Sequence, residues 1–199
     1  PAFIAHLHRI EGESVELHSE EEVQAVLDDL ERSSFTVTDV KEGQRRRNPY
    51  PPFTTSTMQQ QASYKLRFTT RRTMAVAQQL YEGIDLGDGP VGLITYMRTD
   101  STNVAEQAQA EARKYIIDEH GEEYVPPEPP EYKTKAKAAQ EAHEAIRPTS
   151  VFRTPSSLKK VLDRSQYDLY ELIWRRFVSS QMSPAVYDTI AAEILAGVA

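Results

Sequence analysis

Residues 92–102 read Gly-Leu-Ile-Thr-Tyr-Met-Arg-Thr-Asp-Ser-Thr and place a tyrosine and an arginine two positions apart. In an extended backbone alternate side chains share a face. Tyr96 and Arg98 then project together, with Thr99, Asp100 and Ser101 following at the entrance to a helix. A phenol ionises only near pH ~10 and is a weak nucleophile at neutral pH without assistance. A neighbouring guanidinium favours the phenolate and can grip a phosphate through two parallel hydrogen bonds. A helix N-terminus offers further N–H donors to the same anion. The grouping suits attack on a phosphodiester. The same spacing also suits a core-filling tyrosine beside a solvated arginine, and spacing alone does not separate the two.

Two more stretches carry polar groups at useful intervals. Residues 139–149 read Ala-Gln-Glu-Ala-His-Glu-Ala-Ile-Arg-Pro-Thr. On a helix His143 and Arg147 would share a face at i and i+4. Such a pair can grip a phosphate or move a proton; a histidine favoured by the helix dipole is the plainer reading. Residues 54–57, Thr-Thr-Ser-Thr, put four hydroxyls at a helix start, just after the run Arg45, Arg46, Arg47. Thr55, Ser56 and Thr57 could donate to backbone phosphates, although ordinary capping would use one or two of them.

Caps and periodicity indicate the elements that must position these residues. Residues 3–10 and 14–18 alternate as two strands around a turn at 11–13, and Ser19 caps a helix over about 20–30. Residues 35–40 alternate as a strand, whereas the arginines and prolines of 45–52 mark a boundary outside regular structure. Ser56 with Gln59 opens a helix to about Leu66. Thr70 caps another through Tyr81, which Gly83 ends. Residues 92–97 are extended. Asn103 with Glu106 starts a helix that stops at Gly121, and residues 125–131 form a proline-rich loop. Residues 135–146 read as a helix ending before Pro148. Pro155 suits the first turn of a short helix. Ser165 caps a long helix to about Gln181 with Leu169, Leu172, Ile173 and Phe177 inward, and residues 185–195 return to a strand. The expected class is α+β, mainly helical, with a helical insert between β-containing flanks.

Composition narrows the chemistry. The chain has 199 residues, no cysteine and a net charge of −7. Disulfides, thiolate-bound metals and thiol nucleophiles are excluded, and apolar runs are too short to span a bilayer. The acidic balance argues against a nucleic-acid partner only if it is uniform. It is not: residues 1–43 carry −8 and 99–132 carry −7, whereas 44–98 carry +5 and 133–199 carry +3. The basic blocks contain Tyr96, Arg98, His143 and Arg147. The opening Pro-Ala-Phe-Ile has no initiator Met, and residues 190–199 are strand-like and apolar. The chain therefore reads as a middle piece of a larger protein, with strand edges open to pairing between copies.

Taken together, residues 52–60, Thr73-Met74, Ala77-Gln78, Leu80-Tyr81-Glu82, 94–101, 140–148 and 172–177 occur in an order that resembles the type IA DNA topoisomerases, bacterial topoisomerase I above all. The resemblance spans residues 52 to about 188; the first 48 residues match only in texture. It implies that Tyr96 is the nucleophile that cleaves one DNA strand and keeps the 5′ phosphate as a phosphotyrosine ester. Arg98 would neutralise the scissile phosphate. His143 and Arg147, with Thr99, Asp100, Ser101, Thr55, Ser56 and Thr57, would contact the DNA. The family passes a strand through the break and reseals it without ATP, relaxing negative supercoils. A winged-helix-like helical domain would occupy 49–184, inserted into a β-rich hinge domain formed by 1–48 and 185–199.

The family's Mg²⁺ is held by an upstream TOPRIM domain with an Asp-x-Asp pair, and no Asp-x-Asp occurs in this chain. The resemblance therefore implies partners in single-stranded or negatively supercoiled DNA and in the remaining domains of a monomeric cytoplasmic parent, near the nucleoid, with the piece alone inactive. Two rival readings use other residues. His6-Leu7-His8 has the His-hydrophobe-His form that HUH endonucleases combine with a tyrosine, although no third ligand is evident. A non-catalytic single-stranded DNA-binding module could stack bases on Tyr50, Phe53 and Tyr64.

Overall fold

A computed structural model describes residues 3–132 and 143–197, so most of the helix expected over 135–146 lies outside the described residues. In chain order the elements are β1 (Arg9–Ile10), β2 (Glu13–Ser14), α1 (Glu20–Arg32), β3 (Ser34–Arg47), α2 (Thr55–Leu66) and α3 (Thr70–Glu82). They continue with β4 (Ile84–Asp85), β5 (Pro90–Val91), α4 (Glu106–His120), α5 (Pro155–Leu158), α6 (Arg164–Ser180) and β6 (Ala185–Gly197). Helix starts follow capping chemistry, with shifts of one or two residues from the expected positions. Ser19 caps α1 as expected, accepting from the Glu22 N–H at 3.2 Å. Helix α2 is capped by Thr54, not Ser56, through a reciprocal box with Thr57. Thr69 caps α3. Asp163, boxed with Gln166, caps α6 in place of Ser165, whose hydroxyl accepts from Arg72 at 2.7 Å. Adjacent hydroxyls compete for one cap, and a carboxylate gains from the helix dipole. Asn103 caps nothing: Ala105 precedes α4 without a side-chain cap, and Glu144 Oε1 accepts from the Ala105 N–H at 2.8 Å.

The chain divides into two compact units, residues 1–45 with 187–199, and residues 46–186. In the first, β1 pairs antiparallel with β2, and β3 pairs with β6. Ser34 bonds Gly197, Thr38 bonds Glu193 and Gln44 bonds Asp188, so β3 and β6 run in opposite directions. The strands expected over 3–10 and 14–18 shrink to two residues each, because Phe3 and Ile4 remain exposed with nothing to pack on. Arg45–Arg47, expected in a loop, belong to β3. Exposed arginines are compatible with a strand whose side chains face water, and irregular chain begins only near Pro49.

In the second unit α2, α3, α5 and α6 surround the main core, which includes Phe53, Met58, Ala62, Ala77, Leu80, Leu169 and Ile173. Leu169, Ile173 and Phe177 point inward as their spacing predicts; Leu172 is only partly buried. A second cluster sets Ala112 and Ile116 of α4 against Val151, Phe177 and Val178. Trp174 packs against both clusters and donates to the Val151 carbonyl at 2.9 Å. The small antiparallel β4–β5 hairpin was not expected; Asp85 closes its turn by accepting from the Gly87 and Gly89 N–H groups. No helix of the described residues is long and apolar enough to cross a membrane.

Candidate functional site

Tyr96 lies on a segment pinned into the core of the second unit. Leu93, Ile94 and Met97 are buried, whereas Tyr96 is 48% exposed and Arg98 and Asp100 are exposed. From 96 to 100 outward and inward residues alternate, as expected, although among the described residues the segment's one bridge is isolated, between Ile94 and Pro148. Backbone bonds fix its approach. The Leu93 N–H donates to Leu80 of α3 at 2.7 Å, and the Thr95 N–H donates to Arg147 at 2.9 Å. The Thr95 hydroxyl donates to the Ala145 carbonyl at 2.7 Å and accepts from the Arg147 N–H at 3.0 Å. Tyr81 meets Tyr96 edge to face, with ring centroids 5.4 Å apart. Thr95 and Tyr81 sit inside stretches already singled out, but their contacts cross the fold and have no signature in local spacing.

Arg98, Asp100 and His143 are exposed and make no hydrogen bond or ion pair among the described residues. They are available to a ligand. The hydroxyls expected around them are mostly engaged. Thr99 accepts from the Ser101 N–H at 3.0 Å, and buried Ser101 accepts from the Asn103 N–H at 3.1 Å. These residues build a turn well before α4 and do not stand at a helix entrance. Thr57 belongs to the capping box, Thr55 bonds the backbone of Met97 and Thr99, and exposed Ser56 shares a 3.2 Å bond with Thr54.

His143 and Arg147 are not on a helix. Residues 143–147 are extended, because the Ala145 N–H donates to Asn103 and the Ile146 N–H to Phe53, each at 2.8 Å. Pro148 also disfavours helical geometry at Arg147. The two side chains diverge in role: His143 is exposed, while the Arg147 side chain is only 13% exposed and pairs with Glu144 at 2.6 Å. The same Glu144 carboxylate receives the Ala105 N–H ahead of α4. Glu144 was missed because its bond to the Ala105 N–H spans 39 residues of sequence.

The residues of the rival readings are also placed. His6 and His8 lie in exposed chain, and both are outside any strand. Among the described residues no group of three or more His, Asp or Glu side chains could hold a metal ion. Tyr50 and Tyr64 are exposed, but Phe53 is fully buried and unable to stack on a base. The half-buried Arg176 guanidinium covers Phe53 at 4.4 Å and Tyr50 at 5.1 Å, and burial lowers its pKa.

Residues 5–198 match the sequence profile of a family described as DNA topoisomerase. The chain belongs to this family, in its type IA branch. The match extends through the first 48 residues, where local motifs showed only texture. A similar solved structure is full-length topoisomerase I from Thermotoga maritima, 41% identical with a TM-score of 0.73. The alignment covers 92% of this chain and 28% of that one, so the chain spans 28% of that relative's length.

Proposed function

We propose that the chain carries the strand-cleaving tyrosine unit of a type IA DNA topoisomerase that relaxes negative supercoils. The observation that carries this reading is an exposed phenol, Tyr96, and an exposed guanidinium without a partner among the described residues, Arg98, on a segment anchored by buried Leu93, Ile94, Met97 and Thr99. Tyr96 Oη attacks the scissile phosphorus of single-stranded DNA and forms a phosphotyrosine ester. The P–O3′ bond breaks, the phenol proton is lost, and the departing oxygen takes up a proton to become a 3′-hydroxyl. Arg98 offsets the charge of the phosphate. His143 contacts the cleaved strand, and Asp100 lies on the same exposed face. One phosphoester replaces another, so the reverse attack by the 3′-hydroxyl reseals the strand without ATP. Mg²⁺, which the family implies, has no ligand group among the described residues.

In this reading the helical second unit is the winged-helix-like gate, and the β3–β6 ribbon belongs to a hinge domain completed by other parts of a longer, cytoplasmic parent. The decisive experiment mixes the full-length enzyme with a 3′-end-labelled single-stranded oligonucleotide. Tyr96→Phe is expected to abolish covalent capture of the label while leaving the melting temperature unchanged. Covalent capture by that variant would overturn the assignment. The purified 199-residue chain is expected to leave negatively supercoiled plasmid unrelaxed in the presence of Mg²⁺, and relaxation by it would contradict the proposal.

A further inference from the structure

We infer that Thr55 is a positioning residue for Tyr96 and Arg98, acting through the backbone that joins them; the inference rests on the cleavage reading above. Thr55 is the first residue of α2. First-turn N–H groups have no partner within a helix, and the Thr55 N–H donates to the Thr99 carbonyl at 2.8 Å. The Thr55 hydroxyl accepts from the Thr99 N–H at 2.9 Å. It also points its hydrogen at the Met97 carbonyl, 2.8 Å away, and the Thr99 carbonyl, 3.0 Å away. One side chain thus bonds the backbone on both sides of Arg98. Capping does not require it, because Thr54 and Thr57 form the box.

The helix that bears Thr55 is itself immobilised, with Met58 and Ala62 fully buried in the core. The opposite side of the tyrosine is fastened by Thr95 to Ala145 and Arg147. Tyr96 is therefore suspended between two threonine-to-backbone fastenings, while its own ring and the Arg98 side chain remain exposed. Misplacing a reacting group by about 1 Å can cost ~100-fold in rate. A hydroxyl already satisfied by three backbone groups has little left to offer a phosphate, which separates Thr55 from residues that touch DNA.

The test uses the full-length enzyme with Thr55→Val, which removes the hydroxyl but keeps the branched shape, and Thr55→Ser, which keeps the hydroxyl. Single-turnover cleavage of an oligonucleotide by Thr55→Val is expected to fall about tenfold or more. Oligonucleotide affinity, measured by anisotropy in a Tyr96→Phe background, is expected to change by less than about twofold. Thr55→Ser should restore most of the cleavage rate. An unchanged rate in Thr55→Val, or an affinity loss large enough to explain the whole rate loss, would overturn the inference. Hydrogen exchange at the Thr99 N–H gives a separate readout on this chain: Thr55→Val should speed it about tenfold or more, and unchanged protection would also overturn the inference. Covalent capture by Tyr96→Phe alone would instead sink the cleavage reading and leave the exchange result standing.

Discussion

Glu144 shows how one side chain can join two segments distant in sequence. Its carboxylate accepts from Arg147 Nη2 at 2.6 Å and from the Ala105 N–H at 2.8 Å. Arg147 also donates to the Pro148 carbonyl, and its buried Nε has no hydrogen-bond partner among the described residues. A mostly buried cation stripped of its counter-charge is costly. Glu144→Ala is therefore expected to destabilise the chain by about 1–3 kcal/mol in urea denaturation, with Glu144→Gln in between. A change below about 0.5 kcal/mol would mean that Arg147 reaches another acceptor. At this scale the sequence singled out Tyr96 and Arg98 by type and spacing. The division of labour between His143 and Arg147 was hidden, because it depends on Asn103 and Phe53 drawing that segment out of helical geometry.

Among the elements, the close approach between α3 and the Tyr96 segment is set by Gly92. A Cβ at Gly92 would lie 2.8 Å from the Tyr81 carbonyl oxygen, a backbone atom with little room to give. The next residue, Leu93, donates to the Leu80 carbonyl, and the Tyr81 ring touches Tyr96. Gly92→Ala is expected to cost about 1–3 kcal/mol through this overpacking. The measurement is the urea midpoint of the variant; an unchanged midpoint would show that α3 and the segment can separate freely. Helices were legible from apolar spacing and caps, with their starts uncertain by one or two residues wherever hydroxyls cluster, as at 54–57. The β4–β5 hairpin was not legible, since two-residue strands leave no periodicity to read.

At the level of the whole molecule, buried phenols predict an alkaline limit to stability. Burial pushes Tyr132 up to about 12, against a smaller opposing effect of the Arg176 charge, and its hydroxyl donates to the Ser180 carbonyl at 2.6 Å. Burial also raises Tyr170 well above the ordinary phenol range; its hydroxyl donates to Arg153. In the unfolded chain these phenols ionise near pH ~10. The folded state keeps their protons longer, so their contribution is complete below that pH and is lost as pH rises toward the folded values. The urea midpoint should therefore hold steady up to about pH 10 and then fall. Tyr132→Phe and Tyr170→Phe together should make that fall shallower, and an equally steep fall would contradict the assignment. Charge also acts at this scale: the net −7 conceals basic blocks at 44–98 and 133–199 that contain exposed Tyr96, Arg98 and His143.

By itself the sequence determined the family and the candidate reacting types. A tyrosine two residues from an arginine, ordered blocks from 52 to 188 and absent cysteines are covalent facts that folding does not alter. It also determined most helices, because 3.6-residue periodicity and end caps are local. The tertiary structure alone decided which polar groups remain free. Thr55 is consumed by the backbone of Met97 and Thr99 that packing brings to it, and Thr57, Thr99 and Ser101 by near neighbours once the chain turns, whereas Arg98, Asp100 and His143 make no bond among the described residues. The reason is physical: a buried backbone N–H or carbonyl must find a partner, and which hydroxyl it finds depends on contacts between residues such as 55 and 99 that are distant in sequence.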